Sequence, residues 1–546
     1  MSRALTLGAV IAALSTIVPA AVAQPPNAPP RVGTVRFETS CAVSVRPAFV
    51  RGVSLLHSFE FRAAIGSFND VIAADSTCLI AYWGLALSAW GNPFAAGIKP
   101  NVQLARGLAA VEKGRALPGG TERERAYLAA AGRLYDGYQT TDQRTRVIAY
   151  RDAMAELAAR YPRDDEAVIF HALVLSFAAD PNDKTYDAQR KAGATLKRLQ
   201  ARLPDHPGIA HYLIHAYDFP SLAREGLPAA DRYAVIAPAS SHALHMPSHT
   251  YTRVGKWGES IETNIRSAKA ASAEGSVAEA LHASDYMMYA YLQTGQDSAA
   301  RRVLDGLASL AARFDPTVVS AGAPPAAGFF AIAAIPARFA LERGDWQGAA
   351  RLDVRESAFP FADAITWFAR GIGAARSGDT TGAADAVRQL AGLRARLAEQ
   401  RESYWTQQVE IQRRGVAAWL ALARGDKPGA VAEMRATADL EATTEKNAMT
   451  PGPIVPAREL LGELLLATGD GPGALRAFEA TLVTEPNRFR ALAGAMRAAE
   501  SVGDSVRVRR YAQQLSRVCD RGDRPGRADL VRARGVARRA RPPGPS

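Results

Sequence analysis

The sequence is poor in cysteine, which limits the kinds of site it can build. Only Cys41, Cys78 and Cys519 occur in 546 residues. A closed zinc site built from grouped cysteines is therefore not expected. Cys41 and Cys78 flank the first predicted helical hairpin. Their placement fits either a disulfide bond in an oxidising compartment or two separate buried thiols. Cys519 is predicted to remain unpaired.

Several motifs that identify enzymes are also missing. The sequence contains no G-x-S-x-G nucleophile elbow, no P-loop and no glycine-rich dinucleotide fingerprint. The string HMPSH at residues 245–249 differs from the metalloprotease motif H-E-x-x-H, because Met246 stands where the general base would be. Any enzyme hypothesis therefore depends on the histidines described below.

No apolar run beyond the N-terminal segment is long enough to span a bilayer. The first residues combine Arg3, an apolar run and the string Ala21-Val22-Ala23 before Gln24. This pattern predicts a signal peptide over residues 1–23, cut after Ala23, and a periplasmic or secreted mature protein. No cysteine follows the run, so a lipoprotein anchor is not expected.

The formal net charge of +12 is unevenly distributed. From Asp520 to Ser546 the chain has eight arginines and three aspartates, so +5 lies on a tail rich in proline and glycine. The remaining charge is spread along helices. We therefore predict no nucleic-acid partner, and we interpret residues 520–546 as a basic, disordered tail.

An internal repeat predicts the fold. Gly344 and Gly378 are 34 residues apart, as are Gly469 and Gly503. Around them, small residues, an aromatic residue and a closing proline follow the tetratricopeptide pattern, as in residues 460–486. One such unit cannot bury its apolar face alone, so neighbouring units stack. The sequence predicts an all-α solenoid of antiparallel helical hairpins whose first helices line a concave groove.

The same pattern suggests how the chain is divided. After the signal peptide we expect an extended lead-in at 24–40, since its prolines oppose helix formation. N-terminal helical repeats at 41–200, histidine-rich central repeats at 201–300 and C-terminal tetratricopeptide repeats at 301–519 follow. The proline-rich segments 321–325 and 450–456 are predicted to be loops that fold over the groove, where loops often carry function.

Beyond the repeat consensus, the chain resembles a family of exported bacterial tetratricopeptide-repeat proteins. The resemblance covers residues 41–500 approximately, and no established activity accompanies it. It implies the repeat fold and export. The matching strings include CLIAYWGLALSAWGNPF, DPNDKTYDAQRKA, HPGIAHYLIHAYDFP, HALHMPSHTYTRVGKW, HASDYMMYAYLQTGQ, IPARFALERGDW, SYWTQQVEIQ and TPGPIVPARELLGELLL.

Six of the nine histidines lie between residues 206 and 249. At about 100° per residue, His211 and His215 share one helix face, and His242, His245 and His249 share another. His282 and Asp285 occupy equivalent positions in the next repeat. Neighbouring helices pack about 8–10 Å apart, so these side chains are expected to meet in one patch of the groove. Pro247 is expected to kink its helix beside them.

Imidazole is the commonest metal ligand, so this patch predicts a divalent metal site for zinc, copper or iron. Two alternatives remain open, namely a polar network that only stabilises the helix interface, and a surface that recognises a peptide. The predicted ligands are His211, His215, His245 and His249, with His242, His282, Asp218 and Asp285 as second choices or supporting groups.

The groove is also predicted to bind a protein or peptide partner. In this interpretation the chain is an exported scaffold that carries a metal site. The alternative is a metal-dependent enzyme or metal carrier that uses the His211–His249 cluster. The predicted groove-binding residues are Tyr251, Tyr289, Tyr404, Gln408, Glu445 and Lys446.

Overall fold

The structure is a computed structural model, and it describes residues 30–95, 97–181, 183–319 and 321–539. Within these ranges the chain forms 26 α-helices, two 3₁₀-helices (Val43–Val45 and Ala223–Gly226) and no strand. Consecutive helices pack as hairpins along the chain, which confirms the predicted all-α solenoid. The predicted signal peptide lies outside the described residues, and the described part of the lead-in, residues 30–40, contains no helix or strand.

The N-terminal helices enclose one hydrophobic core. Trp83 is fully buried at its centre, with its ring 5.2–5.4 Å from those of Phe37, Tyr127 and Phe170. Phe37 comes from the extended lead-in, so this segment belongs to the fold. The helices are α1 Arg46–His57, α2 Phe61–Ala74, α3 Leu79–Trp90, α4 Asn101–Ala116, α5 Glu122–Gly132, α6 Gln143–Arg160, α7 Asp165–Phe177 and α8 Asp187–Gln200.

The central part of the chain carries most of the histidines, and its first four α-helices have only 5–10 residues each. Pro247 divides one predicted helix in two at Met246, whereas Pro336 lies inside a continuous helix. The helices are α9 Pro207–Ala216, α10 Leu227–Ile236, α11 Ser241–His245, α12 Pro247–Val254, α13 Trp257–Ala273, α14 Val277–Gln293 and α15 Asp297–Ala311.

The C-terminal helices form the most regular hairpins and a second core. Gly344, Gly378, Gly469 and Gly503 all have positive φ at the turns between paired helices, where glycine is favoured. The helices are α16 Pro325–Arg343, α17 Trp346–Ala350, α18 Pro360–Arg376, α19 Thr380–Glu399, α20 Ser403–Ala423, α21 Lys427–Ala442, α22 Ala457–Thr468, α23 Gly471–Thr484, α24 Phe489–Ser501, α25 Ser505–Val518 and α26 Ala528–Arg539.

Near both ends of the chain, one phenylalanine ring packs between glycines of the neighbouring helices. Phe478 of α23 fits between Gly462 and Gly494, and a Cβ at Gly462 would lie 2.8 Å from the ring. Phe68 of α2 fits between two glycines, one each in α1 and α3, in the same way. These glycines allow the helices of adjacent repeats to approach one aromatic side chain closely.

α16 has the length and apolar composition of a membrane span, but it is a core helix here. In its most apolar window, 72% of the residues are buried inside the protein. It also carries the fully buried Arg338. α16 packs against α14 and α18.

The loop at residues 443–456, which we call the covering loop, joins distant parts of the solenoid. Arg338 of α16 donates to the carbonyl oxygen of Pro453 at 3.0 Å, and Lys184 donates to Glu445 at 2.8 Å. Residues 321–325 are held in a similar way, since the Asn92 amide donates to the carbonyl oxygen of Gly322 at 2.8 Å. Both proline-rich segments are therefore tied to distant parts of the chain.

The prediction of a disordered tail is wrong for the residues described. Residues 528–539 form α26, in which Leu530 and Ala533 are fully buried. Arg527 forms an ion pair with Asp297 at 2.6 Å. The proline and glycine residues at 520–527 suggest disorder, but they precede the short amphipathic helix α26, which packs on the last repeat.

Cys41 and Cys78 form a disulfide bond, with their Cα atoms 4.8 Å apart. This settles the choice between a bridge and two separate thiols. Cys519 is a free, buried thiol, as predicted.

Candidate metal centre

Six histidines from four helices meet in the interior. His211 and His215 come from α9, His242 and His245 from α11, His249 from α12 and His282 from α14. None is more than 5% exposed. They fall into two triads, within each of which one nitrogen per ring lies within 4.8 Å of the others. The first triad is His211, His215 and His242, and the second is His245, His249 and His282.

Four of these rings donate their Nδ1 proton to a fixed acceptor, and each such bond selects the neutral tautomer whose Nε2 carries a lone pair. Asn264 itself donates to the carbonyl oxygen of Ser260, which directs its amide oxygen toward His245. The four contacts are His211 to the backbone oxygen of His57 at 2.7 Å, His242 to Glu279 at 3.1 Å, His245 to Asn264 at 2.7 Å and His249 to Asp218 at 3.0 Å.

Of the opposite nitrogens, Nε2 of His211 and of His242 has no hydrogen bond within the described ranges, whereas those of His245 and His249 contact each other. Among the described residues, Nε2 of His211, His215 and His242 and Nδ1 of His282 are buried and have no partner. Leaving a buried polar atom unpaired costs about 1–3 kcal/mol, so four in one cluster require an explanation. Metal-ligating histidines have this arrangement, in which one nitrogen is held by an acceptor and the other binds the ion.

His245 and His249 give the sharpest indication. Their Nε2 atoms lie 3.1 Å apart, although the Nδ1 proton of each ring is already committed. Burial lowers the pKa of His245 to about 3 and that of His249 to about 4, so both rings are neutral near pH 7. Two lone pairs therefore face each other at the distance that separates two ligands of one metal ion.

A small void lies between the two triads. It is lined by His215, His242, His249 and His282, together with Phe94, Met246 and backbone of residues 322–324 and 448–449. Its volume is about 10 Å³, which is room for roughly one water-sized atom. Burial also lowers the pKa of His211, His215 and His282 well below the usual value, which favours the neutral form that binds metals.

Asp218 supports the centre from outside. Its carboxylate accepts from His249, from Lys446 at 2.8 Å and from Arg253 at 2.9 Å. Burial acts to raise the pKa of Asp218, but Lys446 and Arg253 hold it well below the usual range. Asp218 is therefore a charged hydrogen-bond partner of a ligand.

The second predicted carboxylate has a different role. Asp285 is buried and pairs with Arg338 at 2.8 Å, and it belongs to neither triad. Its prediction as a ligand is corrected for this reason, since its position in the repeat directs it toward α16 and the covering loop. Burial raises the pKa of Asp285.

A third cluster that could hold an ion, formed by His57, Glu166 and His206, is fully hydrogen-bonded. Glu166 accepts from Nε2 of His57 at 2.8 Å and from Nε2 of His206 at 2.9 Å. The remaining nitrogens contact the Tyr212 hydroxyl and the Ile209 amide. Every ring nitrogen here has a partner. The six-histidine centre differs from this cluster in its unpaired nitrogens.

The predicted groove-binding residues are buried or half-buried, and each has a hydrogen-bond partner within the protein. Tyr404 donates to the backbone oxygen of Glu445, and Gln408 to the hydroxyl of Thr444, so α20 holds the covering loop. The other contacts are Glu445 with Lys184 and Tyr186, Lys446 with Asp218, Tyr251 with Asp231, and Tyr289 with Glu485 and Arg488.

A larger cavity of about 370 Å³ lies on the other side of the covering loop. Trp405 and Phe361 line it with stacked rings 4.1 Å apart, and Lys446 and Arg253 border it toward the histidines. The buried amide oxygen of Gln412, which also lines it, has no partner among the described residues. The cavity is large enough for a small ligand.

Sequence reasoning gathered the six histidines and Asp218, which accepts from His249, but missed the other supporting groups. Glu279 lies one helical turn before His282 in α14, a spacing that gives a usable signal. Asn264 and the backbone oxygen of His57 come from α13 and the end of α1, and nothing in the sequence indicates them.

Comparison with known proteins adds little. No family profile and no curated protein sequence matches this chain. Two solved structures show a weak helical-repeat likeness. The Cut9–Hcn1 hetero-tetramer of APC/C is 13% identical, with a TM-score of 0.29, over 91% of this chain and 96% of that chain. A human IFIT1 dimer with m7Gppp-AAAA is 10% identical, with a TM-score of 0.37, over 85% of this chain and 94% of that chain. At these values the likeness carries no argument about function.

Proposed function

We propose that this protein is a metalloprotein in which a helical-repeat shell encloses a histidine centre for zinc, copper or iron. The observation that carries the proposal is the set of buried imidazole nitrogens that face one another without hydrogen bonds. A polar network that only stabilises the interface would pair these nitrogens, as the ring nitrogens of the cluster around Glu166 are paired.

The ligand set favours a reactive centre over a closed structural one. Structural zinc sites use four protein ligands, often cysteines, whereas catalytic sites commonly use three and leave one position open. Each triad offers three imidazoles and no cysteine. The Tyr286 hydroxyl donates to the backbone oxygen of Thr450 at 3.1 Å and lies 3.3 Å from Nε2 of His249, so it borders the second triad. A bound ion would act as a Lewis acid. We therefore favour a metal-dependent enzyme that draws a small substrate from the adjoining cavity.

Export also belongs to this proposal. The predicted signal peptide and the disulfide bond between Cys41 and Cys78 both fit an oxidising compartment outside the cytoplasm. A periplasmic or secreted protein would acquire its metal there.

Elemental analysis of the full chain, purified from the periplasm without a polyhistidine tag, tests the proposal. We expect stoichiometric zinc, copper or iron, and its loss in a His245→Ala/His249→Ala double variant. His171→Ala is the matched control, because His171 lies outside the cluster. Folded protein that holds no metal and takes up none of these ions, nor cobalt as a spectroscopic probe, would overturn the proposal. Cobalt titration of the single variants serves if the double variant does not fold.

The cavity favours a second candidate function, which is binding of a peptide. Stacked Trp405 and Phe361 and the unpaired oxygen of Gln412 suit a short segment with an aromatic or amide group. Tyr404, Gln408, Glu445 and Lys446, four of the predicted groove-binding residues, also line this cavity. Peptide binding that persists after metal removal and is lost in Trp405→Ala would favour this function, and binding that needs the metal would favour the first.

A further inference from the structure

We infer that the histidine centre is dinuclear and binds one metal ion in each triad. This inference rests on the proposed metal-binding function and adds its stoichiometry. It starts from the grouping of the rings, since each triad brings three imidazole nitrogens within 4.8 Å of one another, and three imidazoles are a known ligand set for one catalytic ion.

The alternative is one ion in the small void between the triads. That ion would meet His215, His242, His249 and His282, which line the void. It would leave Nε2 of His211 buried without a partner, because the Nδ1 proton of that ring is donated to His57. It would also leave His245 with an unused lone pair 3.1 Å from His249. Two ions use all six imidazoles.

The supporting groups follow the same division. In the first triad, His242 donates to the carboxylate of Glu279, and in the second, His249 donates to that of Asp218. Each triad therefore has one imidazole backed by a carboxylate, an arrangement that makes the ring a stronger ligand. A second ring in each triad donates to a neutral oxygen. His211 donates to the backbone oxygen of His57, and His245 donates to the amide oxygen of Asn264.

With one ion in each triad, the void between the triads lies where a ligand shared by both ions would bind. Paired metal ions in enzymes lie about 3.5–4 Å apart and clamp a shared group between them. The void has room for roughly one water-sized atom and is lined by two rings from each triad. We assign it to a small bridging ligand, such as a water or hydroxide.

The test is the copper and zinc stoichiometry of the full chain, with His211→Leu as the deciding variant. Two ions per chain are expected in the wild type and one in His211→Leu. If a single ion occupied the void, both proteins would bind one ion, because His211 does not line it, and the inference would be overturned. A wild type that binds none would overturn the proposed function itself.

Electron paramagnetic resonance of the copper-loaded protein gives an independent readout. Two coupled Cu²⁺ ions are expected to give a weakened signal in the wild type. His211→Leu is expected to restore the full signal of one isolated ion. His245→Leu is expected to do the same from the second triad, and it replaces His211→Leu if that variant does not fold. A full isolated-ion signal in the wild type would contradict the inference.

Discussion

The ammonium group of Lys446 donates to the carboxylate of Asp218 at 2.8 Å, across 228 positions of the sequence. Their side chains are only 2% and 9% exposed. Because Asp218 also accepts from His249, this contact connects the covering loop directly to the histidine centre. The carboxylate therefore serves both the fold and the candidate metal ligand.

Replacing Asp218 by asparagine is expected to weaken metal binding about 10–100-fold, because His249 loses the carboxylate that fixes its tautomer. Stability is expected to fall by about 3–5 kcal/mol, since Lys446 and Arg253 then lack a buried counter-charge. Competition with a chelator measures the affinity, and urea unfolding measures the stability. Unchanged affinity in the folded variant would show that Asp218 does not support a ligand.

Asp285→Asn is the matched substitution at a buried aspartate outside the triads. Asp285 pairs with Arg338, whose guanidinium also donates to backbone oxygens of the covering loop. We expect a similar loss of stability, about 3–5 kcal/mol, because the buried guanidinium of Arg338 loses its carboxylate counter-charge. The number of ions bound per chain should not change. Loss of an ion from folded Asp285→Asn protein would restore Asp285 as a candidate ligand.

The sequence predicts the local parts of this fold well. Gly344 and Gly469 mark helix turns because positive φ is needed there whatever surrounds them. Pro247 breaks its helix as predicted, since it lacks an amide proton. The helix α26 is not predicted from the sequence, because Leu530 is buried by tertiary contacts with α25 and with the turn at Gly295.

In the candidate site, too, the features that depend on local spacing along one helix can be predicted from the sequence, and the contacts between helices cannot. The i, i+4 spacing of His211 and His215 places both rings on one helix face. By contrast, the contact of Asn264 with His245 joins different helices and leaves no periodic signal. The contacts of Tyr404 with Glu445 and of Lys446 with Asp218 likewise leave no periodic signal in the sequence.

The Cys41–Cys78 disulfide is expected to stabilise the N-terminal core. It closes a loop with a sequence separation of 37, for which chain entropy alone predicts about 4 kcal/mol. A Cys41→Ser/Cys78→Ser variant should lose stability of that order in urea unfolding. Reduction of the wild type should have a matching effect and should leave the variant unchanged. Equal stability of the variant and the oxidised wild type would contradict the prediction.

Glu441 is expected to make stability fall as the pH rises. It borders the larger cavity and accepts from the backbone amide of Ala457 at 2.7 Å. Burial, aided by Glu485, raises its pKa from 4.5 to about 7. Between these values the unfolded chain releases a proton that the folded chain keeps. The stabilising contribution is therefore complete below pH 4.5 and is lost as the pH rises through 7, up to about 3 kcal/mol.

Urea unfolding of Glu441→Gln at pH 4.5 and above pH 7 should show this part of the pH dependence removed, while Glu399→Gln, an exposed control at the end of α19, should retain it. Identical pH profiles for Glu441→Gln and the wild type would show that Glu441 is already ionised in the folded protein near pH 4.5.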